Sequence, residues 1–271
     1  MVNATLVAEL RKKTGAGFMD CKKALVETEG NVAKAIDFLR TKGIATANKK
    51  LDRIAAEGLT SVTIAEDKKT ASIIELNAET DFVARNEEFQ SLVQKISNLA
   101  LNYKNLESVK NAIIDNISVS DLITQNIAKI GENINLRRMD NLTVEHGVIG
   151  HYVHNSVAPD KGKISVLVAV MSDSKNTEKL LELGHKLAVH IAANNPTSHT
   201  IEELDKNLVE HERNIFTEQA KQSGKPDNVV ASMIEGRIRK LYEELVFLEQ
   251  RFLFDDKMKI SEVIESYAKE L

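Results

Sequence analysis

The chain has 271 residues, 42% of them hydrophobic and 28% charged, enough for two or three compact units with filled cores. Its 36 basic and 40 acidic side chains leave a formal charge of −4, which argues against a protein that binds nucleic acid along its whole length. No run approaches the roughly 20 apolar residues of a membrane-spanning helix, and Cys21, the single cysteine, excludes an internal disulfide and a cysteine-built zinc cluster.

The amino-terminal MVNATLVAELRKK carries its charges after a short apolar segment, the reverse of a secretory signal, so the expected location is the cytoplasm. Residues 2–13 set Leu6, Val7 and Leu10 at helical spacing, and Thr14, Gly15, Ala16 and Gly17 end that helix. A second helix is expected over Phe18–Thr28. Asn31 caps a third with Val32, Ala35, Ile36 and Leu39 on one face, and Gly43 is placed to stop it. Three short helices make a small bundle near the lower size limit for independent stability. The basic residues Arg40, Lys42, Lys49, Lys50 and Arg53 then suggest a mobile module on a basic linker over Ala45–Ala55.

Leu59, Val62 and Ile64, then Ala71, Ile73, Ile74 and Leu76, flank the turn AEDKK and predict a β-hairpin. The stretch ETDFVAR (79–85) follows it. A Phe at a strand-to-helix corner either folds back, stapling onto Phe89 or the sheet, or points at something else. Asn86 caps the next helix, with Phe89, Leu92, Val93, Ile96 and Leu99 in one stripe. Helix is expected over Val119–Ile130, strands over Ile134–Leu142, Gly147–Val153 and Lys163–Val170, and helix over Thr177–Asn194, stopping before Pro196. The last strand, with ISVLVAV, is apolar enough to be a buried central one. The middle of the chain thus reads as α+β with two related half-domains.

Helices over Leu204–Gln222 and Asp227–Leu245 are joined by QSGKPD, where Gly224 ends one and Pro226 fits the first turn of the next. Leu204, Leu208, His211 and Ile215 on one, and Val230, Ile234, Ile238, Leu241 and Leu245 on the other, form the seam of a short antiparallel coiled coil. Such a hairpin either protrudes toward a partner or packs on the core. A helix over Ser261–Leu271 follows the acidic pair Asp255 and Asp256.

Common catalytic patterns fail on context. Gly162-Lys163 and Gly224-Lys225 lack the upstream glycine and the hydroxyl residue of a phosphate loop, and TGAG follows a helix, not the strand a dinucleotide fingerprint needs. His185 and His190 are five apart and form no zinc pair, His151 and His154 sit on a strand as surface or interface residues, and Cys21 reads as core.

Two stretches, LRKKTGAGFMDCKKAL (Leu10–Leu25) and ELNAETDFVAR (Glu75–Arg85), closely resemble the most characteristic segments of bacterial and organellar elongation factor Ts, the guanine-nucleotide exchange factor for elongation factor Tu. IAKIGENINLRR (Ile127–Arg138) and QSGKPDNVVASMIEGRIRKL (Gln222–Leu241) look like that family's core and coiled-coil segments, so the resemblance covers most of the chain in order.

The resemblance implies an α+β chain with a ubiquitin-associated-like three-helix module (1–45), a basic linker (46–55), a core of two related subdomains (56–140, and 141–199 with 246–271 returning to it) and a coiled-coil hairpin (200–245). It implies elongation factor Tu as partner, with Thr80, Asp81, Phe82 and Val83 intruding beside the partner's Mg²⁺ site. Arg11, Gly15, Gly17, Phe18 and Met19 of the module become partner contacts, and His154 a further one on the core. No cofactor or metal of the chain's own is implied, since GDP and Mg²⁺ belong to the partner. No direct nucleic acid or membrane contact is expected, while a homodimer or a complex with two copies of each chain stays open.

The sequence departs from the family at Ala78, where Ser or Cys is usual, and in a long loop NSVAPDKGK after His154. Many bacterial members also continue beyond the position of Leu271. An adaptor that only tethers a partner, and a hydrolase using Cys21, are the alternatives from other classes.

Overall fold

The computed structural model describes residues 2–222 and 226–271. The chain is α+β and divides into two units, one running to Thr143 and including Val153–Ser165, the other made of Val144–Tyr152 and Val166–Leu271.

In the first unit, α1 (Ala4–Thr14), α2 (Phe18–Glu27) and α3 (Val32–Asn48) pack around Val7, Leu10, Cys21, Ala24, Leu25 and Ala35. Asn3 caps α1, its side chain accepting from the Leu6 amide at 2.8 Å, and Asn31 caps α3 through the Lys34 amide at 3.0 Å. Gly43 does not stop α3. The helix runs on to Asn48, because α3 lies against α7 (Val119–Ile130), where a Cβ on Gly43 would stand 3.4 Å from that of Ala128. Close tertiary packing outweighs the roughly 1 kcal/mol that glycine costs inside a helix. The expected linker therefore begins inside α3, and Ala47 is buried in the core beneath the sheet.

That sheet holds β1 (Glu57–Ile64), β2 (Thr70–Ala78), β5 (Ile134–Thr143) and the two-residue β7 (Lys161–Gly162) in the order β5-β2-β1-β7. The predicted hairpin pairs Leu59 with Leu76 and Ile64 with Ala71. β2 also pairs antiparallel with β5, ending in the partners Ala78 and Ile134. A short α4 (Asp81–Ala84) leads to α5 (Glu87–Ala100), whose buried Phe89, Leu92, Val93 and Ile96 join α7 residues Ile123 and Ile127 in one core with the sheet. The sequence reading leaves α6 (Leu106–Asn111) and the tiny pair β3 (Ile113–Ile114) and β4 (Ile117–Ser118) unassigned, as each is too short to display a period.

In the second unit β6 (Gly147–His154) pairs with β8 (Ile164–Met171), and α8 (Thr177–Asn194) crosses them at Gly150 and Gly184. A Cβ on Gly150 would fall 2.4 Å from the carbonyl carbon of Gly184, so neither position has room for a side chain. β8 is not the buried central strand its composition predicts. It belongs to a two-stranded sheet and leaves Ile164 and Met171 exposed, with Val168 and Val170 packing on the core of Leu183, Leu187, Phe247, Phe252, Ile260 and Val263.

α9 (Lys206–Lys221) and α10 (Asp227–Leu245) pack on each other through Phe216 under Arg237 and an Arg213–Glu235 ion pair at 2.5 Å. Of the expected seam, Leu204 and Ile238 are buried, most others are half-buried and His211 is exposed. Pro226 takes the N-cap of α10, not its first turn, and the stop assigned to Gly224 lies outside the described residues. A single 3₁₀ turn (Phe247–Glu249), β9 (Arg251–Phe252), β10 (Asp255–Lys259) and α11 (Ile260–Glu270) complete the chain, so the acidic pair stands on a strand.

Candidate functional site: an outward corner between sheet and helix

The residues after β2 turn the chain outward. Val83 and Ala84 are buried in the core, which anchors α4, while Asp81 is exposed and Phe82 is 81% exposed. Phe82 thus staples onto neither Phe89 nor the sheet. The ring therefore contributes little buried surface to the fold and is available to a partner.

The corner is held by two carboxylates that cross between chain segments. The Thr80 amide donates to Glu132 Oε2 at 3.0 Å and the Thr80 hydroxyl to Glu132 Oε1 at 2.7 Å. In the other direction the Asn133 amide donates to Glu79 Oε1 at 2.6 Å, and Arg53 stands 3.5 Å from the same oxygen. Asn133 then donates through Nδ2 to the carbonyls of Arg53 at 2.8 Å and Leu51 at 3.3 Å, tying down the turn after α3. Gly131 permits this clasp. It closes α7 in the left-handed region at φ 89°, so that Glu132 and Asn133 turn back toward β2. Glu132 and Asn133 carry no individual role in the sequence, where GENINLRR stands out only as a segment and Arg53 only as part of the basic linker, because residues about 50 apart become neighbours only through the β2–β5 pairing.

Arg11, Gly15, Gly17, Phe18 and Met19 lie together at the α1–α2 turn. Gly15 adopts φ 67° and its amide closes α1 on the Arg11 carbonyl at 2.8 Å. Gly17 is the N-cap of α2, followed by Phe18 and Met19, which are 50% and 69% exposed. Gly15 also sits against Lys129 of α7, and Lys129 pairs with Glu88 in the first turn of α5. The helical turn is thereby connected through one lysine to the helix that begins just after the Phe82 corner. An open cleft of about 780 Å³ lies here, lined by polar groups that include Thr14, Asn86, Glu87, Lys95 and Lys129. His154 is exposed on another element, the last residue of β6, where its carbonyl accepts from the Lys163 amide at 3.0 Å.

Other residues with chemical potential are engaged structurally. Cys21 is buried, with its thiol 3.6 Å from the Ala16 carbonyl. His190 is buried too. Its Nε2 meets Gln250 Oε1 at 2.9 Å and its Nδ1 faces the Leu253 amide at 3.2 Å and Asn194 Nδ2 at 3.0 Å, an arrangement that suits the neutral ring with its proton on Nε2. Burial pushes its pKa below the ordinary histidine value, and the Gln250 bond offsets this only in part. Among the described residues no cluster of three His, Cys, Asp or Glu could hold a metal ion, and no helix is long and apolar enough to cross a membrane.

A family model described as Elongation factor TS matches residues 79–271, beginning at Glu79 of the clasp. The chain is 55% identical over all 271 residues to a protein named Elongation factor Ts from Rickettsia bellii, covering 87% of that relative. It is 54% identical, with the same coverage, to proteins of that name from Rickettsia rickettsii and Rickettsia africae. By that match over most of its length and that identity over all of it, the chain belongs to the elongation factor Ts family.

Proposed function

We propose that this chain is the guanine-nucleotide exchange factor for elongation factor Tu, acting by intrusion and not by covalent chemistry. The observation that carries the reading is Phe82, 81% exposed on a corner whose next two residues are buried. Phe82 wedges into a pocket of the partner beside its Mg²⁺ site, and Asp81 helps to hold the rearranged, Mg²⁺-poor state. Burying one Phe is worth roughly 1.5 to 3 kcal/mol, and about 1.4 kcal/mol is tenfold in an equilibrium constant. The wedge alone thus weakens bound nucleotide by about tenfold to 150-fold.

Loss of Mg²⁺ removes the cation that offsets phosphate charge, and GDP leaves faster. Linkage requires that nucleotide weaken the complex by the same factor, which lets GTP expel this chain. No bond is made or broken, and no cofactor beyond the partner's own GDP and Mg²⁺ is involved. The three-helix module, ubiquitin-associated-like in this reading, docks on the partner's GTPase domain through Phe18 and Met19 at the turn formed by Arg11, Gly15 and Gly17. His154 adds a core contact, the α9–α10 pair is a coiled-coil hairpin, and the setting is the cytoplasm.

The test is the release rate of fluorescent GDP from elongation factor Tu at fixed Mg²⁺, with Phe82→Ala as the paired sample. Strong acceleration that is largely lost in the variant is the expected result. A folded chain that binds the partner without changing the rate would be a tether, and the exchange reading would fall.

A further inference from the structure

We infer that Glu132 is a positioning residue for the Phe82 wedge, an inference that rests on the exchange reading above. The antiparallel register of β2 and β5 ends at Ala78 opposite Ile134. Continued one and two steps, it sets Glu79 opposite Asn133 and Thr80 opposite Glu132, the two pairs joined by the clasp. Each carboxylate accepts an amide proton from the opposite segment, so the chain diverges from the sheet without leaving those two amides unmet, although only alternate pairs of an antiparallel ladder carry ladder bonds.

Thr80 explains why Glu132 matters for Phe82 in particular. It occupies the N-cap of α4, yet its hydroxyl makes no capping bond to that helix and donates to Glu132 instead. A helix of four residues cannot hold its own geometry. The direction in which α4 leaves the sheet, and with it the direction of Phe82 at its second position, is therefore set from one side by buried Val83 and Ala84 and from the other by the two bonds to Glu132. Preorganisation of this kind aids binding because the ordering cost is met before the partner arrives.

The experiment pairs a measurement on the chain alone with one on the exchange reaction. In Glu132→Ala, the Thr80 amide at the head of the corner should exchange hydrogen about tenfold faster, the order of magnitude one charge-assisted hydrogen bond commands, while β2 and β5 amides keep their protection. The same variant should slow stimulated GDP release about tenfold, but less than about twofold when Phe82 is already Ala, since positioning has nothing left to position. Glu132→Gln, which keeps one acceptor, should recover much of the loss. Thr80→Val, which spares the backbone bond, gives a smaller effect of the same sign and serves if Glu132→Ala does not fold. Equal losses with and without Phe82, or a Thr80 amide that does not respond, would overturn the inference. A wild-type chain that leaves release unchanged overturns the exchange reading, and is recognised separately because amide exchange is read without the partner.

Discussion

Phe82 and Phe89 stand seven residues apart and belong to opposite economies of the same fold. Phe89 is wholly buried in the core between sheet and helices, whereas Phe82, on the preceding helix, is 81% exposed. The difference does not come from the side chain, which is the same, but from what holds each backbone. Phe89 lies on α5, a four-turn helix capped by Asn86, and burial of its stripe stabilises that helix. Phe82 lies on a single turn that is anchored by its neighbours Val83 and Ala84 and steered by groups on other segments. A residue can be aimed at a partner only if its own burial is not what orders it.

The comparison predicts a graded response. The largest effect is on Phe89→Ala, expected to cost about 3 to 5 kcal/mol of stability through loss of buried surface and the cavity left behind, read as a lowered thermal or urea midpoint. If it costs no more than a surface change, the core assignment of α5 is wrong.

Second is the pH dependence of the other unit's buried polar group, His190. Its pKa is depressed in the folded state, so the unfolded chain takes up the proton first, and the stabilising contribution is full above about pH 6.5 and lost as pH falls below it. The slope it adds is at most about 1.4 kcal/mol per pH unit, and His190→Gln should flatten that stretch of a midpoint-against-pH curve. Glu75 acts in a lower window. Burial alone would raise it, but hydrogen bonds from Arg138 and Asn77, with the charge of Arg138 and a bond from Arg137, together hold its carboxyl below the usual range, so this contribution fades only in more acid solution.

Third, Asn86→Ala removes the acceptor for the Glu88 and Phe89 amides, at 2.9 and 3.1 Å, and should cost about 1 kcal/mol. This sharpens the contrast, because the cap divides the self-supporting helix from the steered turn. The smallest effect on stability is expected for Phe82→Ala, within about 0.5 kcal/mol in either direction, as for an exposed site. It should nonetheless cause a large loss of stimulated GDP release. A Phe82→Ala chain that melts several degrees lower would place that ring in the fold and remove the comparison altogether.

Local patterns determined much of this protein. Asn31 and Asn86 are caps as their positions predict, Val119–Ile130, Thr177–Asn194 and Asp227–Leu245 are helices to the residue, and the AEDKK turn joins the expected hairpin. These elements are legible because a cap or a period acts within a few residues of chain. The resemblance on Leu10–Leu25 and Glu75–Arg85 pointed to the family directly. Tertiary contacts decided the rest. Gly43 lies inside α3 because α7 packs against it, apolar β8 is half-exposed because β6 alone among the described residues pairs with it, and Phe82 faces outward where buried Val83 and Ala84 anchor α4 and Glu132 reaches Thr80 from 52 residues away. Sequence records which groups can form such bonds, but the free energy that selects among them depends on distances that exist only once β2 and β5 have paired.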